Sequence, residues 1–194
     1  LTTPVTFDHM LSLCHHFDLS NTRDAAVWVV ACKAFWDCTR LGELLPKSTS
    51  SFDTTRNITR GCLLKRGVAA NGRHFLTFKI PYSKTRQHAG DWIKSVKYSD
   101  LVNPVSAFEH HLHLSCSLPL DALLFAYQTT AGWAYLMREH FMSHCCEIWR
   151  SAGLESLLGH GFCISGTTYS VQRANETKII VSFPFTPTTT CLKL

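Results

Sequence analysis

The chain has 194 residues, of which 45% are apolar and 17% charged; this is enough for one domain with a full core, and it excludes a disordered composition. No apolar run reaches the roughly 18 residues of a membrane-spanning helix, and the first residues lack the basic-then-apolar layout of a secretory signal, so an intracellular protein with no membrane partner is expected. The formal net charge of +5 is unevenly spread: the 42 residues from Arg56 to Lys97 hold ten Lys or Arg against one acid, Asp91, which leaves the rest of the chain acidic.

In chain order, apolar positions Phe7, Met10, Leu11, Leu13, Cys14 and Phe17 predict a helix within residues 4–19. A second helix is predicted from Thr22 to Trp36, capped by Ser20 or Asn21. Its apolar residues occur on nearly all sides, the mark of a buried central helix. A helical turn, Arg40 to Leu45, stops before Pro46, and the Ser/Thr-rich residues 47–57 read as loop. Three strands are expected at Ile58–Lys65, Arg73–Tyr82 and Trp92–Tyr98, with turns at Gly67–Gly72 and Ser83–Gly90. In the middle strand Leu76, Phe78, Ile80 and Tyr82 alternate with Thr77 and Lys79. Asn103 before Pro104 opens a helix to about Ser115. Another runs from about Met137 to Ala152 and is closed by Gly153, and a further helix begins near His160. Beyond Asn175, Lys178–Phe183 could form a strand before an irregular Pro/Thr tail. The fold class is therefore α+β, mostly helical with a small three-stranded antiparallel sheet.

Nine cysteines stand at scattered positions without a Cys-x-x-Cys pair, which favours reduced thiols packed as small apolar groups over a disulfide framework or a zinc ribbon. The basic stretch comprises Arg56, Arg60, Lys65, Arg66, Arg73, Lys79, Lys84, Arg86, Lys94 and Lys97. Positive charge gathered in this way suits a surface that meets a polyanion, with a solvated basic face as the plain alternative.

Three segments carry a more specific signal. Ala34-Phe-Trp-Asp-Cys-Thr-Arg40-Leu-Gly-Glu43-Leu-Leu resembles the first catalytic box of tyrosine recombinases, an Arg followed three residues later by Glu at the end of a buried helix. Ile80-Pro-Tyr-Ser-Lys84-Thr resembles the strand-turn that carries the family's lysine. Gly159-His160-Gly-Phe162-Cys163-Ile-Ser-Gly166 resembles the His-x-x-Arg box, most closely in crypton-like recombinases of eukaryotic mobile elements. The resemblance covers roughly residues 4–170 and implies a catalytic domain over 1–174, C-terminally incomplete, followed by a divergent tail, 175–194.

The resemblance implies DNA breaking and rejoining, for site-specific recombination or integration, on double-stranded DNA in the nucleus. Other recombinase protomers would be partners, and neither metal nor small-molecule cofactor takes part. In that chemistry a tyrosine attacks a phosphodiester, and guanidinium forks neutralise the non-bridging oxygens. Arg40 would be the first fork, supported by Glu43. Lys84 would be the general acid, with Arg86 and then Lys79 as further candidates. His160, at a helix start, would hold the phosphate or manage the tyrosine's proton.

Two departures predict impaired catalysis. Cys163 stands where the second Arg belongs, and a thiol neutral near pH 7 cannot make a bidentate phosphate contact. The nucleophile is missing as well: no Tyr, Trp or His follows Tyr169, which stands only nine residues after His160, and a truncation, frameshift or gene-model error at the C-terminal helices is the expectation. The family's N-terminal DNA-gripping domain is also not represented in this chain, so weak binding is expected. The alternatives are a non-catalytic DNA-binding remnant of a mobile-element recombinase and a metal-binding module built on His110, His111 and His113 or on His140, His144 and Cys145.

Overall fold

The computed structural model describes residues 3–84 and 86–165. The expected strand at Lys178–Phe183, Tyr169 and the tail lie outside them. The order of elements is α1 (Phe7–His16), α2 (Thr22–Trp36), α3 (Leu41–Leu44), a 3-10 turn (Thr49–Ser51), β1 (Leu64–Val68), β2 (His74–Ile80), β3 (Asp91–Val96), α4 (Pro104–Leu114), β4 (Tyr127–Thr129), β5 (Gly132–Ala134) and α5 (Arg138–Ser151). A last helix, α6, opens at 160 and is helical through 165. The architecture is α+β, and no described helix is long and apolar enough to cross a membrane.

Local chemistry sets the helix ends. Thr6 caps α1 and receives the His9 amide, while His9 Nδ1 faces the Thr6 hydroxyl at 2.6 Å. The helix stops at Phe17, whose backbone is extended, and lies within the expected 4–19. Asn21 caps α2 through the amides of Arg23 and Asp24, and Asn103 caps α4 through those of Val105 and Ser106. Each such cap satisfies amides that the helix itself leaves unbonded, typically for about 1 kcal/mol. Gly153, at φ +73, follows α5 in the left-handed conformation that glycine adopts without strain.

α2 is the centre of the molecule. Every residue from Ala25 to Phe35 is buried, and the helix packs against α4 on one side and α1 on another, with β4 across its start. The sheet has the order β1-β2-β3, antiparallel throughout. Its inner face presents Leu76, Phe78, Ile80 and Ile93 to the core, where the Phe78 ring stacks on Phe108 of α4 at 5.5 Å.

Two sequence expectations are corrected. The strand expected at Ile58–Lys65 begins only at Leu64, because the preceding backbone is engaged elsewhere: Ile58 accepts from Leu124 at 3.0 Å, and the Arg60 and Gly61 amides reach the Ala122 and Leu120 carbonyls at 2.9 and 2.8 Å. Tyr82 falls outside β2, which ends at Ile80 before Pro81. The hairpin β4–β5 had no expectation at all; its strands are three residues each, too short for alternation to register.

Candidate functional site

The corner that follows α2 is built from four residues. Asp37 ends the helix, Cys38 turns the chain at φ +51, Thr39 is buried, and Arg40 caps α3 with extended backbone. The Arg40 amide donates to Glu43 Oε2 at 3.1 Å, and its guanidinium Nη1 lies 3.5 Å from Oε1. Glu43 therefore holds both the backbone and the side chain of Arg40, whose side chain remains 41% exposed and open to a ligand.

The far end of the chain meets this corner. A Cβ on Gly159 would fall 2.6 Å from Leu41 Cδ1 and 3.3 Å from Met142 Sδ, so the start of α6 lies close against Leu41 of α3 and any larger residue there would displace these side chains. The Gly161 carbonyl accepts from the Val5 amide at 3.2 Å, and Phe162 is fully buried between Phe141 and Trp149. These contacts turn Cys163 toward the corner, where its thiol donates to the Cys38 carbonyl at 2.9 Å. Burial raises the Cys163 thiol, as does nearby Cys38, while the Arg40 charge pulls the other way and Glu43 raises it further. It stays protonated near neutral pH and brings no charge of its own.

Of the residues singled out by motif, the structure thus brings together Arg40, Glu43 and Cys163. His160 stands exposed at the start of α6. Lys84 is exposed in the β2–β3 turn, and no hydrogen bond or ion pair joins it to Arg40, Glu43 or Cys163. Tyr98, whose phenol feels the charges at Asp37 and Cys38, is stacked on Trp36 at 4.3 Å and pushed up to about 12, chiefly by burial. That is the opposite of an activated nucleophile.

The residues of the basic stretch differ in their partners. Arg66 pairs with Glu109 at 3.5 Å, Arg86 lies 4.0 Å from Asp91, and half-buried Arg60 donates to Ser115 Oγ at 2.6 Å. Arg56 lies over the Tyr82 ring at 4.7 Å, and Arg73 and Lys97 are exposed.

Lys65, Lys79 and Lys94 share one face of the sheet. Cross-strand register aligns Lys65, Thr77 and Lys94 in one row and Lys79 with Trp92 in the next, all on the face opposite Phe78 and Ile93. Lys65 lies 4.7 Å over the Trp92 ring and Lys94 4.2 Å over Phe75. Rings hold these ammonium groups without neutralising them, and among the described residues none of the three pairs with an acid.

Three histidines of the metal reading have partners of their own. His110 donates to the Leu19 carbonyl at 2.7 Å, His111 to that of Leu124 at 2.9 Å, and His144 Nε2 is 3.0 Å from Asp24 Oδ1. No group of three potential ligands occurs among the described residues. Two cavities, of about 280 and 480 Å³, flank the sheet; neither is lined by Arg40, His160 or Cys163.

Sequence reasoning missed a buried ionic cluster beside the corner. Lys33 Nζ is 3.5 Å from Asp37 Oδ2, it donates to Ser95 Oγ, and Ser95 Oγ donates to Asp37 Oδ2 at 2.5 Å. The signal was available: a lysine inside an otherwise apolar helix, with a carboxylate four residues on. Comparison with family models, curated proteins and solved structures finds no match for this chain.

Proposed function

We propose that this chain is a tyrosine-recombinase-like domain that binds double-stranded DNA in the nucleus, with other protomers as partners in assembly, and whose strand-breaking chemistry is impaired. The observation that carries the reading is the meeting of Arg40 and Glu43 with the Gly159–Cys163 segment, although more than a hundred residues of chain separate them. That two boxes recognised separately by motif meet at one corner supports a shared phosphate site.

In this reading Arg40, oriented by Glu43, presents its guanidinium to the non-bridging oxygens of a backbone phosphate. A second fork would stand at residue 163. The thiol there donates its proton to a backbone carbonyl instead, and losing one such donor costs on the order of 10²–10³ in rate. In this reading phosphate binding survives the loss while strand cleavage is slowed. The unneutralised Lys65, Lys79 and Lys94 on the outer sheet face supply further backbone contacts.

The test is the salt dependence of binding to a DNA duplex. Replacing Lys65, Lys79 or Lys94 singly by Ala is expected to lower the slope of log K against log salt by about 0.9 each, whereas Arg66→Ala, already paired with Glu109, lowers it less. Binding that ignores salt would sink the reading. On a suicide DNA substrate, Cys163→Arg is expected to yield no covalent adduct; an adduct mapped to Tyr169 would overturn the impaired assignment.

A further inference from the structure

Lys33 is fully buried, and its Nζ sits 4.9 Å and 4.6 Å from the ring centroids of Phe78 and Phe108. With Ser95 and Asp37 it closes a three-membered ring of ammonium, hydroxyl and carboxylate, and the Asp37 side chain is only 3% exposed. Burying such a pair gains little stability over apolar residues of equal volume, so its position asks for another account.

Asp37 stands three residues before Arg40. Between them Cys38 gives its carbonyl to Cys163, and the Thr39 hydroxyl reaches back to the Asp37 carbonyl at 3.4 Å. The corner is thus held from α6 on one side and from β3 on the other. Ser95 follows Lys94 directly, and the strand turns Ser95 inward to Asp37 and Lys94 outward.

We infer that Asp37, gripped by Lys33 and Ser95, is the positioning residue of the Arg40 corner, tying the angle at which Arg40 meets a phosphate to the strand that carries Lys94. The inference rests on Arg40 as the phosphate ligand. Burial raises Asp37 to about 6, against the pull of Lys33 and Ser95. The groups facing it are Lys33 and Cys32 from α2, Ser95 from β3, and Tyr98 just beyond it, while Cys62 faces Lys33. Burial keeps the two thiols and the phenol protonated, so the carboxylate among them is the group that gains a proton in mild acid. The tether weakens as that proton binds.

The test measures duplex binding by the full chain between about pH 5 and pH 7.5, for the wild type, Arg40→Ala, Asp37→Asn, Asp37→Glu and the paired replacement Lys33→Met with Asp37→Leu. Contributions to binding that are common to every variant cancel in a ratio, so the quantity read is the affinity ratio with and without Arg40. In the wild type that ratio is expected to be about tenfold near neutral pH, one charge-assisted contact, and to fall toward one below about pH 6. With Asp37→Asn it is expected to be small and independent of pH, with Asp37→Glu restoring part of it.

The paired apolar replacement guards against misfolding, since it leaves no buried charge unpaired. A folded paired variant that keeps the full Arg40 ratio overturns the inference. If Arg40→Ala leaves wild-type binding unchanged, it is the Arg40 reading that fails, and hydrogen exchange of amides 37–41, which needs no DNA, then decides the tether. Exchange accelerated about tenfold in the paired variant, roughly 1.4 kcal/mol of lost local protection, supports it, and unchanged exchange refutes it.

Discussion

Acidification is expected to destabilise the fold through one imidazole. His111 is fully buried in α4, its Nε2 donates to the Leu124 carbonyl at 2.9 Å, and its Nδ1 has no partner among the described residues. A proton on Nδ1 would be a second positive charge beside Arg60, with nothing to accept it. Burial, above all, lowers the His111 pKa to about 4, the Leu124 carbonyl opposes this, and the Arg60 and His110 charges add to the lowering.

The folded value lies below the unfolded one, so the unfolded chain binds the proton first as pH falls. The stabilisation is complete above about pH 6.5 and is lost progressively down to about pH 4. A displacement of about 2.5 units corresponds to about 3 kcal/mol once both values are passed, and to between about 1 and 2 kcal/mol already at about pH 5.5. Urea denaturation at a series of pH values, for the wild type and His111→Gln, measures the effect as a difference of slopes. At an m-value of about 2 kcal/mol/M the wild-type midpoint should fall by roughly 0.7 M more than the variant's between about pH 7.5 and 5.5. Asp37, raised instead of lowered, contributes a slope of opposite sign, but it is common to both proteins and cancels. Parallel profiles for the two proteins would refute the reasoning.

Cys38→Gly is expected to stabilise by about 0.5–1 kcal/mol, because relief of a left-handed backbone at φ +51 exceeds the added entropy of the unfolded chain; a lowered urea midpoint would contradict this. Gly90→Ala is expected to cost at least about 2 kcal/mol in thermal denaturation, since at φ +64 the new Cβ would lie 2.1 Å from the Ile80 carbonyl oxygen; an unchanged melting temperature would show that the hairpin base yields easily.

The helices were legible because their ends carry explicit chemistry. Asn21 and Asn103 announce α2 and α4, Gly153 closes α5, and the alternation of Leu76, Phe78 and Ile80 finds β2. The start of β1 was not legible: Ile58 and Thr59 have strand-like side chains, and only tertiary structure shows that their backbone is used by the Leu120–Leu124 segment.

At the candidate site Cys163 lies beside the corner of Arg40 and Glu43, whereas Lys84 and His160, which the motifs would set around the same phosphate, are exposed and no hydrogen bond or ion pair among the described residues joins them to it. Charge counting could not separate Lys65, Lys79 and Lys94 from Arg66, because strand register gathers the three lysines on one face while Glu109 neutralises Arg66. The Lys33–Asp37 pair went unread because a helix apolar on nearly all sides drew attention away from its one ammonium group.

The contact of Gly159 with Leu41 has a consequence for the order of assembly. A growing polypeptide can complete α2 and its neighbouring hairpins from residues already made, but the Arg40 corner lacks its opposing wall until the chain near 160 has been synthesised. Contacts so distant along the polypeptide carry the heaviest loop-closure entropy and form late. Nascent or C-terminally shortened versions of this domain would therefore display a guanidinium on an unfinished surface, and would complete the Arg40 corner only in the closing stage of folding.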